Sequence, residues 1–138
     1  MKRTALGLRI LISFCLVGSP TWATPEIHPM TASIPALPSA HDLAGDWVLS
    51  WGDETCGLNL SSRPVSMPRP ATDAWTLTLD AQCAGNEMLE PVRAWRPASD
   101  GIDLTDERGR TRLFLSRTGP EAYEAALPSG QAVRLTRD

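Results

Sequence analysis

From Asp46 to the end of the chain, apolar side chains recur at every second position in short runs. Trp47, Leu49 and Trp51 form the first. Leu58 and Leu60 follow, then Trp75, Leu77 and Leu79, then Ile102 and Leu104, Leu113 and Leu115, Tyr123 and Ala125, and Val133 and Leu135. A period of two places each run on one face of a half-buried strand. Turn formers separate them: Asp53-Glu54, Gly85-Asn86, Asp100-Gly101, Arg108-Gly109, Gly119-Pro120 and Ser129-Gly130. With the strand pattern around Trp95, this predicts eight short strands joined by tight turns, an all-β domain that is either an antiparallel barrel or a small sandwich. We expect the barrel, because closure removes the edges that a small sheet must otherwise protect. Between Ser61 and Glu90 the pattern weakens, and Pro64, Pro68 and Pro70 predict a loop.

Ahead of the strands the periodicity disappears. From Thr24 to Pro38 four prolines, Pro25, Pro29, Pro35 and Pro38, punctuate a stretch whose sizeable apolar residues are Ile27, Met30, Ile34 and Leu37. Such a segment, 24–38, is expected to be an extended arm. Ser39 then opens one helical turn, with Asp42 three positions on to complete a capping box and Gly45 to end it. A single turn is not stable alone, so it serves to brace the arm against the barrel domain, residues 39–138.

The first residues change the picture by fixing a compartment. Lys2, Arg3 and Arg9 precede and flank an apolar stretch from Ile10 to Val17, and Thr21-Trp22-Ala23 offers small residues at both cleavage-determining positions. Residues 1–23 therefore read as a secretory signal peptide, cut after Ala23, which exports the protein to an oxidising compartment. The apolar run is too short to span a bilayer. Cys15 follows Phe14 within that run and leaves with it, as does Lys2, the sole lysine.

What remains holds ten basic residues against sixteen acidic, a net charge of −6. Nucleic acid and anionic membranes, which need concentrated Lys and Arg, are excluded as partners. Two cysteines remain, Cys56 and Cys83, and an even pair in an oxidising compartment reads as a disulfide. A metal pair or reactive dithiol lacks both nearby histidines and C-x-x-C spacing.

Catalytic chemistry is hard to assemble. His28 and His41 are the two histidines, and His28 lies in the arm, so neither a zinc helix nor a Ser-His-Asp set is available in the folded body. The chain is therefore not expected to be an enzyme, and no cofactor is called for. Asp103, Asp106 and Glu107, beside the Arg108-Gly109-Arg110 turn, read as a solvated, charged hairpin end. Trp47, Trp75 and Trp95 are expected in the core, whereas Trp51, at the end of its run, is a candidate rim contact.

The landmarks Leu37-Pro38-Ser39-Ala40, Leu43-Ala44-Gly45-Asp46-Trp47-Val48-Leu49, Cys56-Gly57-Leu58, Ala94-Trp95-Arg96-Pro97, Asp100-Gly101-Ile102 and Arg134-Leu135-Thr136-Arg137 occur in that order. From Ser33 to Asp138 this resembles the alkaline proteinase inhibitors, periplasmic inhibitors of serralysin-type zinc metalloproteases. The resemblance implies a compact eight-stranded antiparallel β-barrel with an N-terminal arm and a single disulfide, here Cys56 with Cys83. It implies a monomer that lays the arm tip, Ser33, Ile34, Pro35, Ala36 and Leu37, along the protease cleft while the barrel rests on the surrounding surface. In that family a free α-amino group, here that of Ser33, approaches the target's catalytic zinc. This chain departs from the pattern, since cleavage after Ala23 leaves Thr24 to Ala32 ahead of Ser33. Either a second cut after Ala32 frees the Ser33 amine, or a longer arm threads the cleft with His28 or a backbone carbonyl near the metal. Pro35 suits both, because it preorganises the arm and resists cleavage. Two other readings of the same barrel are a small-ligand carrier and an envelope interaction domain without inhibitory activity.

Overall fold

The computed structural model describes residues 18, 19, 22 and 37–137. The alternating runs become eight strands: β1 Gly45–Trp51, β2 Glu54–Val65, β3 Ala74–Leu79, β4 Ala94–Ala98, β5 Gly101–Thr105, β6 Thr111–Gly119, β7 Ala122–Ala126 and β8 Ala132–Thr136. Each pairs antiparallel with its sequence neighbour, and β8 returns to pair with β1, Leu135 opposite Leu49, so the barrel is closed. A four-residue helix, α1 Ala40–Leu43, precedes β1, and a 3-10 turn, Ala81–Cys83, follows β3.

The inward positions are the ones the period of two selects. Leu49, Leu60, Trp95, Ile102, Leu104, Leu115, Val133 and Leu135 are fully enclosed, and Trp47 and Tyr123 nearly so, their rings meeting edge to face at 5.6 Å. Burying each such side chain contributes about 1.5–3 kcal/mol, so these rings and branched chains outweigh any single hydrogen bond in holding the barrel shut. Both mouths are closed as well. Ala40 and Leu43 of α1 join the core at one end, and Leu89 and Val92 join it from the loop ahead of β4.

The seam between β3 and β4 has the fewest ladder pairs, Trp75 opposite Trp95 and Thr76 opposite Ala94. There side chains do what the ladder does elsewhere: the Trp95 indole packs 6.0 Å from that of Trp75 and donates to the Ser61 carbonyl at 3.0 Å.

Three expectations are corrected. β2 does not stop at the first proline but continues to Val65, with Pro64 opposite Trp75. A register shift between Leu60 and Pro64 accommodates the ring, which lacks an N–H for a regular ladder. On β3, Ala74 and Leu77 are buried, while Trp75, expected in the core, and Leu79 are half-buried at its margin.

The acidic hairpin end, finally, is solvated at Glu107, Arg108 and Arg110 but not at its two aspartates. Asp103 and Asp106 are 6% and 3% exposed. Asp103 pairs with Arg96 at 2.7 Å and accepts from the Thr111 hydroxyl at 3.0 Å. Asp106 closes its turn, accepting from the backbone N–H groups of Arg108 and Arg110 and from the Arg110 and Arg112 guanidinium groups. Burial opposes ionisation of Asp106, but these donors, the Arg110 backbone foremost, outweigh it and hold its carboxyl at about 2. Asp106, met by donors on both oxygens, and Asp103, paired through Oδ2 with Arg96 and Thr111, are structural ion pairs, not a general acid and base.

Candidate functional site

Leu37 and Pro38, the described end of the predicted arm, lead into α1. The capping box forms as the spacing predicts: the Ser39 N–H and hydroxyl donate to Asp42 Oδ2 at 2.9 and 2.7 Å, and the Asp42 N–H donates to Ser39 Oγ at 3.2 Å. The bond from the Ser39 hydroxyl, followed by that from its backbone, lowers the Asp42 carboxyl below the ordinary range.

The other end of the turn is held from the barrel. The Trp47 indole donates to the Leu43 carbonyl at 2.9 Å. Arg137 donates through Nη1 to the Ala44 carbonyl at 3.1 Å and through Nε and Nη2 to Glu121 Oε1 at 3.0 and 2.9 Å, while its guanidinium lies 4.5 Å from the centroid of the Trp47 ring. Two of the carbonyls that a short helix leaves without partners are thus satisfied by side chains from the strands. Gly45 follows with φ +133°, a conformation that side chains rarely adopt, which swings the chain from α1 into β1. Leu37 precedes the cap and is 65% exposed.

Of the arm-tip residues expected to meet a protease, Ser33, Ile34, Pro35 and Ala36 lie outside the described residues, as does His28. Leu37 is described, and stands exposed at the α1 end. Trp51 lies at the opposite end of β1, a seven-residue strand, and so about 20 Å away. It is 9% exposed and borders a cleft with Glu54, Gln82, Met88 and Leu127. The fold therefore does not bring Leu37 and Trp51 together.

Cys56 and Cys83 are joined by a disulfide and buried. Asp80 sits beside it, accepting from the Gly57 N–H at 2.7 Å and from the Gln82 and Cys83 N–H groups at 2.9 and 3.2 Å. Donor atoms of Cys56, Asp80 and Cys83 lie within 4.8 Å of one another, but the sulfurs are bonded to each other, so the group is a cross-link and not a metal site.

Sequence reasoning missed Arg137, Glu121 and the indole of Trp47 as parts of this junction. Arg137 and Trp47 both belong to the landmarks quoted above, yet nothing in local spacing says that residues at opposite ends of the domain meet.

A closed barrel with a filled interior, a buried cross-link and an exposed Leu37 ahead of α1 defines a small all-β fold. The comparisons make it specific. Residues 37–137 match the family "Protease inhibitor Inh", and the chain belongs to that family, whose members are inhibitors and not enzymes. An alkaline proteinase inhibitor of Pseudomonas syringae pv. tomato is 36% identical over 73% of this chain and 74% of that protein. A proteinase inhibitor of Dickeya chrysanthemi is 33% identical over 77% of this chain and 83% of its own length. The crystal structure of a psychrophilic marine protease MP inhibitor superposes with a TM-score of 0.54 over 73% of this chain and all of that one, at 21% identity, a likeness of fold.

Proposed function

We propose that this protein inhibits a secreted serralysin-type zinc metalloprotease by laying the segment Ser33–Leu37 in the protease's active-site cleft, with the α1 end of the barrel resting on the surrounding surface. The observation that carries the reading is the junction at α1. A four-residue helix capped at its start by Asp42 and at its end by Trp47 and Arg137 gives the chain ahead of Ser39 a fixed point of departure. An extended segment tethered in that way can pair with a cleft edge while the body offsets part of the cost of ordering it. The relatives' names, alkaline proteinase inhibitor, agree with the target class.

The protein acts in the periplasm as a monomer once residues 1–23 are removed, and needs no cofactor. Within this reading the Ser33 amine is the group that meets the target's zinc if the chain is cut after Ala32. Trp51 contributes a rim contact only to a protease surface that wraps the barrel's length.

Against a small-ligand carrier stands the interior, where Trp47, Trp95 and Tyr123 occupy the space a ligand would need. Titration tests the proposal. Equimolar mature protein should abolish the activity of a serralysin-type protease and leave a serine protease untouched. Full activity at equimolar protein, across serralysin-type enzymes from several sources, would overturn it.

A further inference from the structure

Resting on the proposed arm-in-cleft reading, we propose that Arg137 is a positioning residue for inhibition: it sets the direction in which the chain ahead of Ser39 leaves the barrel.

The argument begins with what α1 lacks. Four residues make too little helix to hold their own direction, and α1 is anchored to the core through Ala40 and Leu43 alone. Two apolar anchors fix its position but leave it free to pivot about the line joining them. The pivot is stopped at the carbonyl end, where the Trp47 indole takes the Leu43 carbonyl and Arg137 takes that of Ala44.

Arg137 is the stiffer stop, because its guanidinium is itself held on two sides and its backbone is tied down as well. Glu121, just ahead of β7, holds its Nε and Nη2 edge, Trp47 lies against its face, and its own backbone N–H donates to the Glu121 carbonyl at 3.2 Å. A planar fork can meet a carboxylate and a carbonyl at once, and a lysine ammonium, being a point charge, cannot reproduce that geometry.

Nothing in this arrangement requires Arg137 to touch a protease. Its side chain is 24% exposed, with its donors engaged by Ala44 and Glu121. Its effect on inhibition is therefore indirect. When the junction is loose, a smaller fraction of molecules presents the arm in the binding direction, and apparent affinity falls by that fraction.

A double-mutant cycle tests this with Arg137→Ala and a chain shortened to begin at Leu37, both measured for binding to a serralysin-type protease. The shortened chain retains every residue of the core, all of which lie at or after Ala40. In the full mature protein Arg137→Ala should weaken inhibition at least tenfold, chiefly through slower association, with the melting temperature lowered by no more than a few degrees. Arg137→Lys should fall between. In the shortened chain, which binds weakly through the barrel, Arg137→Ala should change nothing further. An equal loss in both backgrounds, or none in the full protein, overturns the inference while leaving arm insertion intact. Unweakened inhibition by the shortened chain overturns the arm-in-cleft reading itself, and the positioning role with it.

Discussion

Replacing both Cys56 and Cys83 by alanine removes a cross-link between residues 27 apart in sequence. A loop of that length restricts the unfolded chain by about 3.5 kcal/mol on the chain-entropy account. The folded state should change little. Asp80 still ties the 3-10 turn to the Gly57 N–H, and the β2–β3 ladder, with Leu58 opposite Leu79, still closes nearly the same loop. For a domain of this size each kcal/mol is worth roughly 4–8 °C, so the melting temperature should fall by roughly 15–25 °C. Thermal and urea unfolding of the mature protein and the double variant measure this, and the urea m-value should rise because the unlinked chain unfolds to a more open state. Below the lowered melting point, at about 10 °C, the variant should titrate a protease as the parent does, since the cross-link lies at the end of the barrel away from α1. A stability loss below about 1 kcal/mol would refute the entropic reasoning. A lost titre in a variant that is folded by circular dichroism would show that the disulfide shapes the inhibitory face directly.

Deleting everything before Leu37 should weaken inhibition by roughly a hundredfold or more while the melt barely moves, because the core begins at Ala40; removing only Thr24 to Ala32 should preserve or improve binding if the Ser33 amine meets the zinc, and a large loss instead assigns contacts to those nine residues. Asp106 has a folded-state pKa of about 2, below its ordinary 3.8, so its contribution is complete above the ordinary value and is lost as pH falls toward 2. Melting temperatures between pH 2 and 6 should accordingly drop less steeply for Asp106→Asn than for the parent, and parallel curves would remove Asp106 from the account of acid sensitivity. Gly101→Ala would drive a Cβ into the Leu115 carbonyl oxygen; since backbone must move, the cost should be about 1–3 kcal/mol in urea unfolding, and a neutral result would mean that β5 and β6 part without strain.

The barrel was legible because the alternation holds along most of its strands, as in Trp47-x-Leu49-x-Trp51 and Leu113-x-Leu115. The capping box at Ser39 was legible because both partners lie within one turn of chain. The path of residues 61–65 was not, since a register shift lets β2 run through Pro64, and propensity alone reads proline as a stop. Nor was the burial of Asp103, whose partners Arg96 and Thr111 lie on neighbouring strands. The junction was half legible: its cap is local, but its clamp joins Ala44 to Arg137, 93 residues away.

The pairing of β1 with β8 carries a consequence for the order of events as the chain is made. A polypeptide that emerges amino end first delivers its arm and α1 early and its closing strand last, so the barrel cannot shut until residues 132–136 have arrived. Until then β1 keeps one edge unpaired, and the Ala44 carbonyl waits for the penultimate residue. Assembly is thereby read from the far end of the molecule: a chain truncated by even a few carboxy-terminal residues would keep α1 and β1 and still lack the β1–β8 seam and the Arg137 bond to the Ala44 carbonyl.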